Sequence, residues 1–388
     1  MLQNLSNNES RGILPRLLLV AASAPPFHGT NMANLALIES GLAQEFETTL
    51  LDISDHRDTS NLGRMDFDNV RLALTHLVQL GWFAFTRRPR VVYILLSQNN
   101  LAFLRDGLFI LAARVLGGAR VVAHLHGGNF RSYHRGTNRF MRAFIDLCLR
   151  QVRLGVVLGD CLRGQLDPWV RDTVVVSNGT DCLLDEAPAK DPSAERIPVL
   201  WLGSLYRSKG IIDLAEAIAL AQGQPGAENL HFEIAGEFGG NAASGMGAAE
   251  TRAAVMAHLE GAHAQERVTF HGLVTGEKKL ALLRRSAIFV LPSWNEGQPV
   301  SILEAMAAGT PCIATPVGAV AETIVHEETG LLVARQSPGE LADALLRLAR
   351  DPGLRARLGE AARRRYETHY TKAAFVDRMT RVFRQAMS

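Results

Sequence analysis

Short apolar strand patterns alternate with helical periodicities twice along the 388 residues, and this doubled alternation constrains the fold more than any other feature. The first series opens with a buried strand pattern at Arg16 to Ala22, a turn through Ser23 to Thr30 and a helix from Asn31 to Ala43. Strands at Thr48 to Asp52, Val91 to Leu95, Arg120 to His124 and Leu154 to Leu158 follow, with helices at Phe67 to Phe85, Arg105 to Leu116 and Thr137 to Arg153 between them. A polar stretch from Asp185 to Arg196, with Pro188 and Pro192 inside it and Pro198 just after, has linker character. The pattern then restarts. Strands are expected at Val199 to Leu202, His231 to Ala235, Val268 to Phe270, Ala287 to Leu291, Pro311 to Ala314 and Gly330 to Val333, with helices such as Gly210 to Gln222, Lys278 to Arg285 and Ala319 to His326 connecting them. A chain of this length exceeds what one core usually serves. The expected fold class is α/β, as two Rossmann-like domains over residues 1–185 and 186–370 with a last helix over 371–388.

Net charge is only +2, but its distribution is uneven. Between Arg87 and Arg153 twelve arginines face only Asp106 and Asp146, a local charge of about +10. Within that stretch Arg139, Arg142, Arg150 and Arg153 lie beside Phe140, Met141, Phe144, Ile145 and Leu149 on one expected helix. Two readings stay open there: contact with anionic lipid head groups or a phosphorylated acceptor, and a solvated helix face against the core. Nucleic acid is not an expected partner, because the aromatics read as core and no recognised module occurs. Cys148, Cys161, Cys182 and Cys312 have neither a zinc-ligand spacing nor the density of a disulfide scaffold. With no signal-peptide pattern and no apolar run long enough to span a bilayer, the expected location is the cytoplasm, with the inner membrane face as a refinement.

Chemistry concentrates in the second series. Glu296 and Glu304 bracket a loop running into a helix, with Gly297 open to close backbone approach, Pro299 suited to the first helical position and Gly309 a natural stop. Such a helix start offers N–H groups to an anion, and the flanking carboxylates can accept bonds from sugar hydroxyls. Upstream, Gly203-Ser204-Leu205-Tyr206-Arg207-Ser208-Lys209-Gly210 joins a strand to a helix and sets Lys209 at the sheet's carboxyl edge, where open α/β sheets bind ligands. It is not a Walker A loop, so a diphosphate partner and a solvated lysine are both open readings of this piece alone.

In order, Gly203 to Gly210, Phe270-His271-Gly272, Leu291 to Gly297, the Glu296/Glu304 pair, Gly318 with Glu322, and Glu328 to Val333 resemble the retaining glycosyltransferases of family 4, the glycosyl transferases group 1. The resemblance implies the GT-B architecture, two Rossmann-like domains facing each other across a cleft, with the C-terminal helix returning to the N-terminal, acceptor-binding domain. It also implies roles. Lys209 neutralises the donor diphosphate, Glu296 faces the donor sugar beside the backbone of Gly297, Gln298, Pro299 and Val300, and Glu304 holds the ribose hydroxyls. Where the family places a second phosphate-binding arginine this chain has Ser204, and Arg207 is expected to compensate. In the first domain the family's glycine pair is Gly29-Thr30, and His126, Gly127 and Asn129 fall where the reacting sugar and acceptor are met.

The implied reaction is transfer from a UDP-, GDP- or ADP-sugar to a hydroxyl of a glycan or lipid-linked acceptor with retention, in cell-surface polysaccharide or glycolipid synthesis. His126, Glu296 and Lys209 are the catalytic candidates, with no cofactor and no metal site implied. A sugar-nucleotide epimerase, a phosphorylase and a non-catalytic sugar-nucleotide-binding subunit are the alternatives, the last motivated by Ser204 and Thr30.

Overall fold

Two sheets organise the chain, each within its own compact unit: Met1–Thr180 together with Lys372–Ser388, and Asp181–Thr371. The computed structural model describes residues 2–5, 14–22, 29–54, 67–181, 196–239 and 245–388. The boundary expected at 185/186 and the turn residues Pro25 to His28 lie outside the described residues.

The first unit holds β1 (Leu2–Asn4), β2 (Arg16–Ala21), β3 (Glu47–Asp52), β4 (Val91–Leu95), β5 (Arg120–Leu125), β6 (Val152–Val157) and β7 (Thr173–Val175) in the order β1-β3-β2-β4-β5-β6-β7. All neighbours pair in parallel except β1 with β3. Leu17 to Ala21 and Val91 to Ile94 are buried without alternation, as parallel strands covered on both faces must be. Phe375, Met379, Val382 and Phe383 of the last helix, Lys372–Met387, join Leu17, Leu19, Tyr93 and Val156 in one core. Phe383 meets Phe46 and Tyr93 edge-on at centroid distances of 6.1 and 5.7 Å. Arg90 and Arg120 donate to the carbonyls of Met387 and Ala386, satisfying acceptors that a helix end leaves open.

Three details depart from the sequence reading. The helix expected over Thr137 to Arg153 runs Arg139–Leu149, started by the Asn138 side chain, which accepts from Met141 N at 2.9 Å, and a separate helix that the pattern did not mark, Phe130–Gly136, precedes it. The next strand accordingly begins at Val152 rather than Leu154. β1 carries no sequence signal, since its three residues are all exposed.

The second unit holds β8 (Ile197–Leu202), β9 (Leu230–Ala235), β10 (Val268–Gly272), β11 (Ile288–Leu291), β12 (Cys312–Ala314) and β13 (Gly330–Leu332), ordered β10-β9-β8-β11-β12-β13 and parallel throughout. The order reverses between β8 and β11, the position at whose carboxyl edge open α/β sheets bind ligands. Those two loops are Gly203 to Gly210 and Pro292 to Pro299. The helix expected at Ala319 to His326 is shorter, Val320–Thr323, and the one expected from Gly210 runs Ile211–Ala221 after a 3-10 turn at Arg207–Lys209.

Candidate functional site

At the reversal point of the second sheet, Lys209 and Glu296 meet. Lys209 Nζ donates to Glu296 Oε1 at 2.6 Å, and Ser293 Oγ donates to the same oxygen at 2.7 Å. Both bonds fall on Oε1, and Glu296 is buried while the lysine is about one-third exposed. The loops are fixed to each other by backbone: Trp294 N donates to Ser208 O at 2.9 Å. Gly210, at φ +84°, packs where a Cβ would come within 2.1 Å of Pro292 O. Gly318, at φ +52°, lies so close to the Glu296 carbonyl that a Cβ would meet its oxygen at 2.1 Å. Neither position tolerates a side chain without moving the loop that carries the carboxylate.

The helix after this loop is Val300–Ala307, with Pro299 as its N-cap rather than its first residue. Its first-turn N–H groups have no carbonyl a turn earlier within the helix. Glu304, one turn in and buried, accepts from Lys279 Nζ at 2.7 Å. Lys279 lies on the helix Gly276–Arg285 and was not singled out in the sequence. Two of the chain's five lysines thus hold the two carboxylates. Ser293 was likewise missed as a partner of Glu296.

The other expected donor residues lie around this pair. Arg207 stacks its guanidinium 5.2 Å from the Trp294 ring centroid, and Trp294 Nε1 donates to Asp213 Oδ2 at 2.5 Å. Burial raises the Asp213 pKa, offset in part by that bond. Ser204 is exposed in the same loop. Gly297 O accepts from Ala319 N at 2.7 Å, and Gln298 Nε2 donates to Thr323 Oγ1 at 2.8 Å, so this side chain braces the loop. His271 pairs with Glu233, which also takes Arg285. Beside the loops after β8, β9 and β10 lies a depression of about 730 Å³, lined by Leu205, Gly236, Phe238, Met256 and Phe270 among others. Its size is that of a small-molecule site.

In the first unit, His126 follows β5 directly. Its ring stacks on His124 at a centroid distance of 4.0 Å, and His124 Nδ1 bonds the Tyr93 hydroxyl at 2.8 Å. The Nε2 atoms of both imidazoles are buried without a hydrogen-bond partner among the described residues. Burial pushes the His126 pKa down to about 4, and burial together with the neighbouring His126 charge puts that of His124 well below its ordinary value. Both rings are therefore neutral near pH 7. A Cβ on Gly127 would strike the Gln98 amide at 1.8 Å, and Asn129 stands exposed at the N-cap of Phe130–Gly136 with no side-chain cap bond. Gly29 begins the helix Gly29–Ile38.

Residues 196–351 match the family model described as Glycosyl transferases group 1. Among relatives, D-inositol 3-phosphate glycosyltransferase of Corynebacterium glutamicum is 34% identical over 199 residues, covering 48% of this chain and 46% of that one. The enzyme of the same description from Pseudarthrobacter chlorophenolicus is 33% identical over 42% of this chain and 37% of that one. Glycogen synthase of Mycobacterium tuberculosis is 29% identical over 52% of this chain and 46% of that one. The chain thus spans less than half the length of these relatives. Among solved structures, sucrose-phosphate synthase of Thermosynechococcus elongatus superposes with a TM-score of 0.75 at 19% identity, over 96% of this chain and 98% of that one. HepE of Anabaena, solved with UDP and glucose, gives 0.70 at 16% identity over 96% and 100%. These likenesses establish the fold, two parallel-sheet α/β domains of the GT-B type.

Proposed function

We propose, from the match of residues 196–351 to the glycosyl transferases group 1 model, that the chain transfers a sugar from a nucleoside-diphosphate donor to an acceptor hydroxyl with retention at the anomeric carbon. The observation that carries this reading is the Lys209–Glu296–Ser293 cluster at the reversal point of the second sheet. A cation, a carboxylate and a helix N-terminus converge there, the set a sugar joined to a diphosphate needs. HepE, bound to UDP and to glucose, lends the donor class further support.

In the reaction the bond from the anomeric carbon to the diphosphate oxygen breaks and a bond to the acceptor oxygen forms on the same face. The acceptor proton passes to the departing diphosphate oxygen. Lys209 and the first-turn amides of Val300–Ala307 stabilise the charge that develops on that leaving group, so this reading does not call on a divalent ion. Glu296 orients the sugar through its hydroxyls, and Glu304, held by Lys279, accepts from the ribose. The apolar depression beside Leu205 and Phe270 takes the base. Arg207 supplies the second phosphate contact that Ser204 lacks. We assign His126 to polar contact with the acceptor: an imidazole held neutral at pH 7 and short of a partner for Nε2 can donate or accept without acting as a base. The acceptor is a hydroxyl of a glycan or a lipid-linked glycan, in the synthesis of cell-surface polysaccharide or glycolipid.

A thermal-shift panel of UDP-, GDP- and ADP-sugars tests the donor assignment, with Lys209→Ala and Glu296→Ala as controls. One donor class raises the melting temperature of the wild type and leaves both variants unmoved. A panel in which no nucleotide sugar shifts the wild type overturns the assignment. The anomeric configuration of the product, read by NMR, tests retention.

A further inference from the structure

Eleven of the fourteen large apolar side chains left exposed among the described residues lie on three helices of the first unit, Phe67–Arg87, Asn100–Gly117 and Arg139–Leu149. The first and third both pack against the second, which packs on β4 and β5, so the three form one layer. On Phe67–Arg87 the exposed set is Val70, Leu74, Val78, Trp82 and Phe85, spaced by four, four, four and three residues. That spacing draws a continuous stripe along one helix face, while His76, Leu80 and Ala84 bury the opposite face. Val78 is 71% exposed and Trp82 67%. A soluble surface seldom leaves so contiguous an apolar stripe to water.

Beyond Asp68 in the first turn of Phe67–Arg87, the charge around the stripe has one sign. No acidic residue occurs between Asn69 and Arg105. Asp106 is buried under Arg105 and Ser97 N, and Asp146 is taken by His134 and Trp169. Arg87, Arg88 and Arg114 are exposed and make no ion pair among the described residues. They end two helices whose C-terminal turns approach closely: a Cβ on Gly81 would meet Leu116 at 3.1 Å, and one on Gly117 would meet Ala84 O at 3.0 Å. Arg131, Arg135, Arg142 and Arg150 ring a depression of about 390 Å³ by the third helix.

We propose that this helical layer docks the chain on an anionic lipid bilayer, with the Val70 to Phe85 stripe seated at the acyl boundary and the arginines on lipid phosphates. Charge complementarity selects the bilayer over a second copy of the chain, since two copies would oppose arginine to arginine across the contact. Among the described residues no helix is long and apolar enough to cross a membrane, which fits a helix lying in the interface plane. The proposal goes beyond the transfer reaction and does not rest on it.

Flotation of the full chain with vesicles tests the docking. Expected are recovery with phosphatidylglycerol-rich vesicles, weaker recovery with pure phosphatidylcholine, and a blue shift of tryptophan emission on binding. Val78→Glu/Trp82→Glu should lower partitioning about ten-fold or more, and Arg87→Glu/Arg88→Glu should remove the preference for the anionic lipid. Both variants change outward-facing residues, and an unaltered unfolding transition confirms their fold. No recovery with either vesicle, equal recovery with both, or wild-type binding by a folded Val78→Glu/Trp82→Glu overturns the proposal. A concentration-dependent dimer that this variant dissolves, without vesicle binding, overturns it in favour of a second copy.

Discussion

Lys209 Nζ and Glu296 Oε1 stand 2.6 Å apart across 87 positions of sequence, one on the loop after β8 and the other on the loop after β11. The pair ties together the two loops at the reversal of strand order. Removing the lysine alone strands a buried carboxylate, and Lys209→Ala should cost about 1–3 kcal/mol of stability in urea unfolding. Turnover should fall about a hundred-fold or more, because in the proposed reaction the cation also meets the leaving group. Glu296→Gln keeps an acceptor for Ser293 and should unfold close to wild type while losing activity.

Lys279 holds Glu304 as Lys209 holds Glu296. Lys279→Ala should raise KM for the donor about ten-fold, the worth of a charge-assisted bond that positions the proposed ribose contact. Titration of the free nucleotide should show the same loss. Lys278→Ala, next along the helix and with no ion pair among the described residues, is the control.

Gly318→Ala puts a methyl group against Glu296 O at a backbone conformation that favours glycine. A cost of about 1–3 kcal/mol is expected, with donor affinity falling in step because the displaced segment is the carboxylate loop. Circular dichroism melts and nucleotide titration check both halves.

His124 and His126 give the first unit a pH dependence. Their folded pKa values lie below the ordinary histidine value, at about 4 for His126, so between the unfolded value and there the unfolded chain binds protons that the folded chain refuses. Stability is therefore greatest above the unfolded value and falls as pH drops toward 4. Melting temperature should decline across that window, and His126→Asn should flatten the decline.

Phe383 is fully buried between Phe46 and Tyr93. Phe383→Ala should cost about 3–5 kcal/mol, read as a lower melting transition of the unit that contains β2 and β4.

Much of the fold is legible in the sequence. Strand and helix periodicity marks both sheets, because parallel strands buried on two faces leave unbroken apolar runs. Lys209, Glu296 and Glu304 stand out because a loop, a cation and a helix start are local in sequence. Lys279 does not, because its meeting with Glu304 is made by the packing of two helices and its neighbour Lys278 is equally eligible on paper. The short helix Phe130–Gly136 does not stand out, because seven residues are too few for a helical periodicity to show, whereas Asn138 before Arg139 is a helix-start residue that marks the next one. β1 has only its hydrogen bonds to β3 to define it, and backbone pairing leaves no mark on side-chain pattern.

Lys372 N bonds to Thr180 O at 3.0 Å, and from that point the last helix completes a core begun by β2. A ribosome therefore releases every residue of Asp181–Thr371 before the earlier-made unit has its final wall. The half translated first is sealed last, and until then Leu17, Tyr93 and Val156 present an uncovered apolar face to the nascent chain's surroundings.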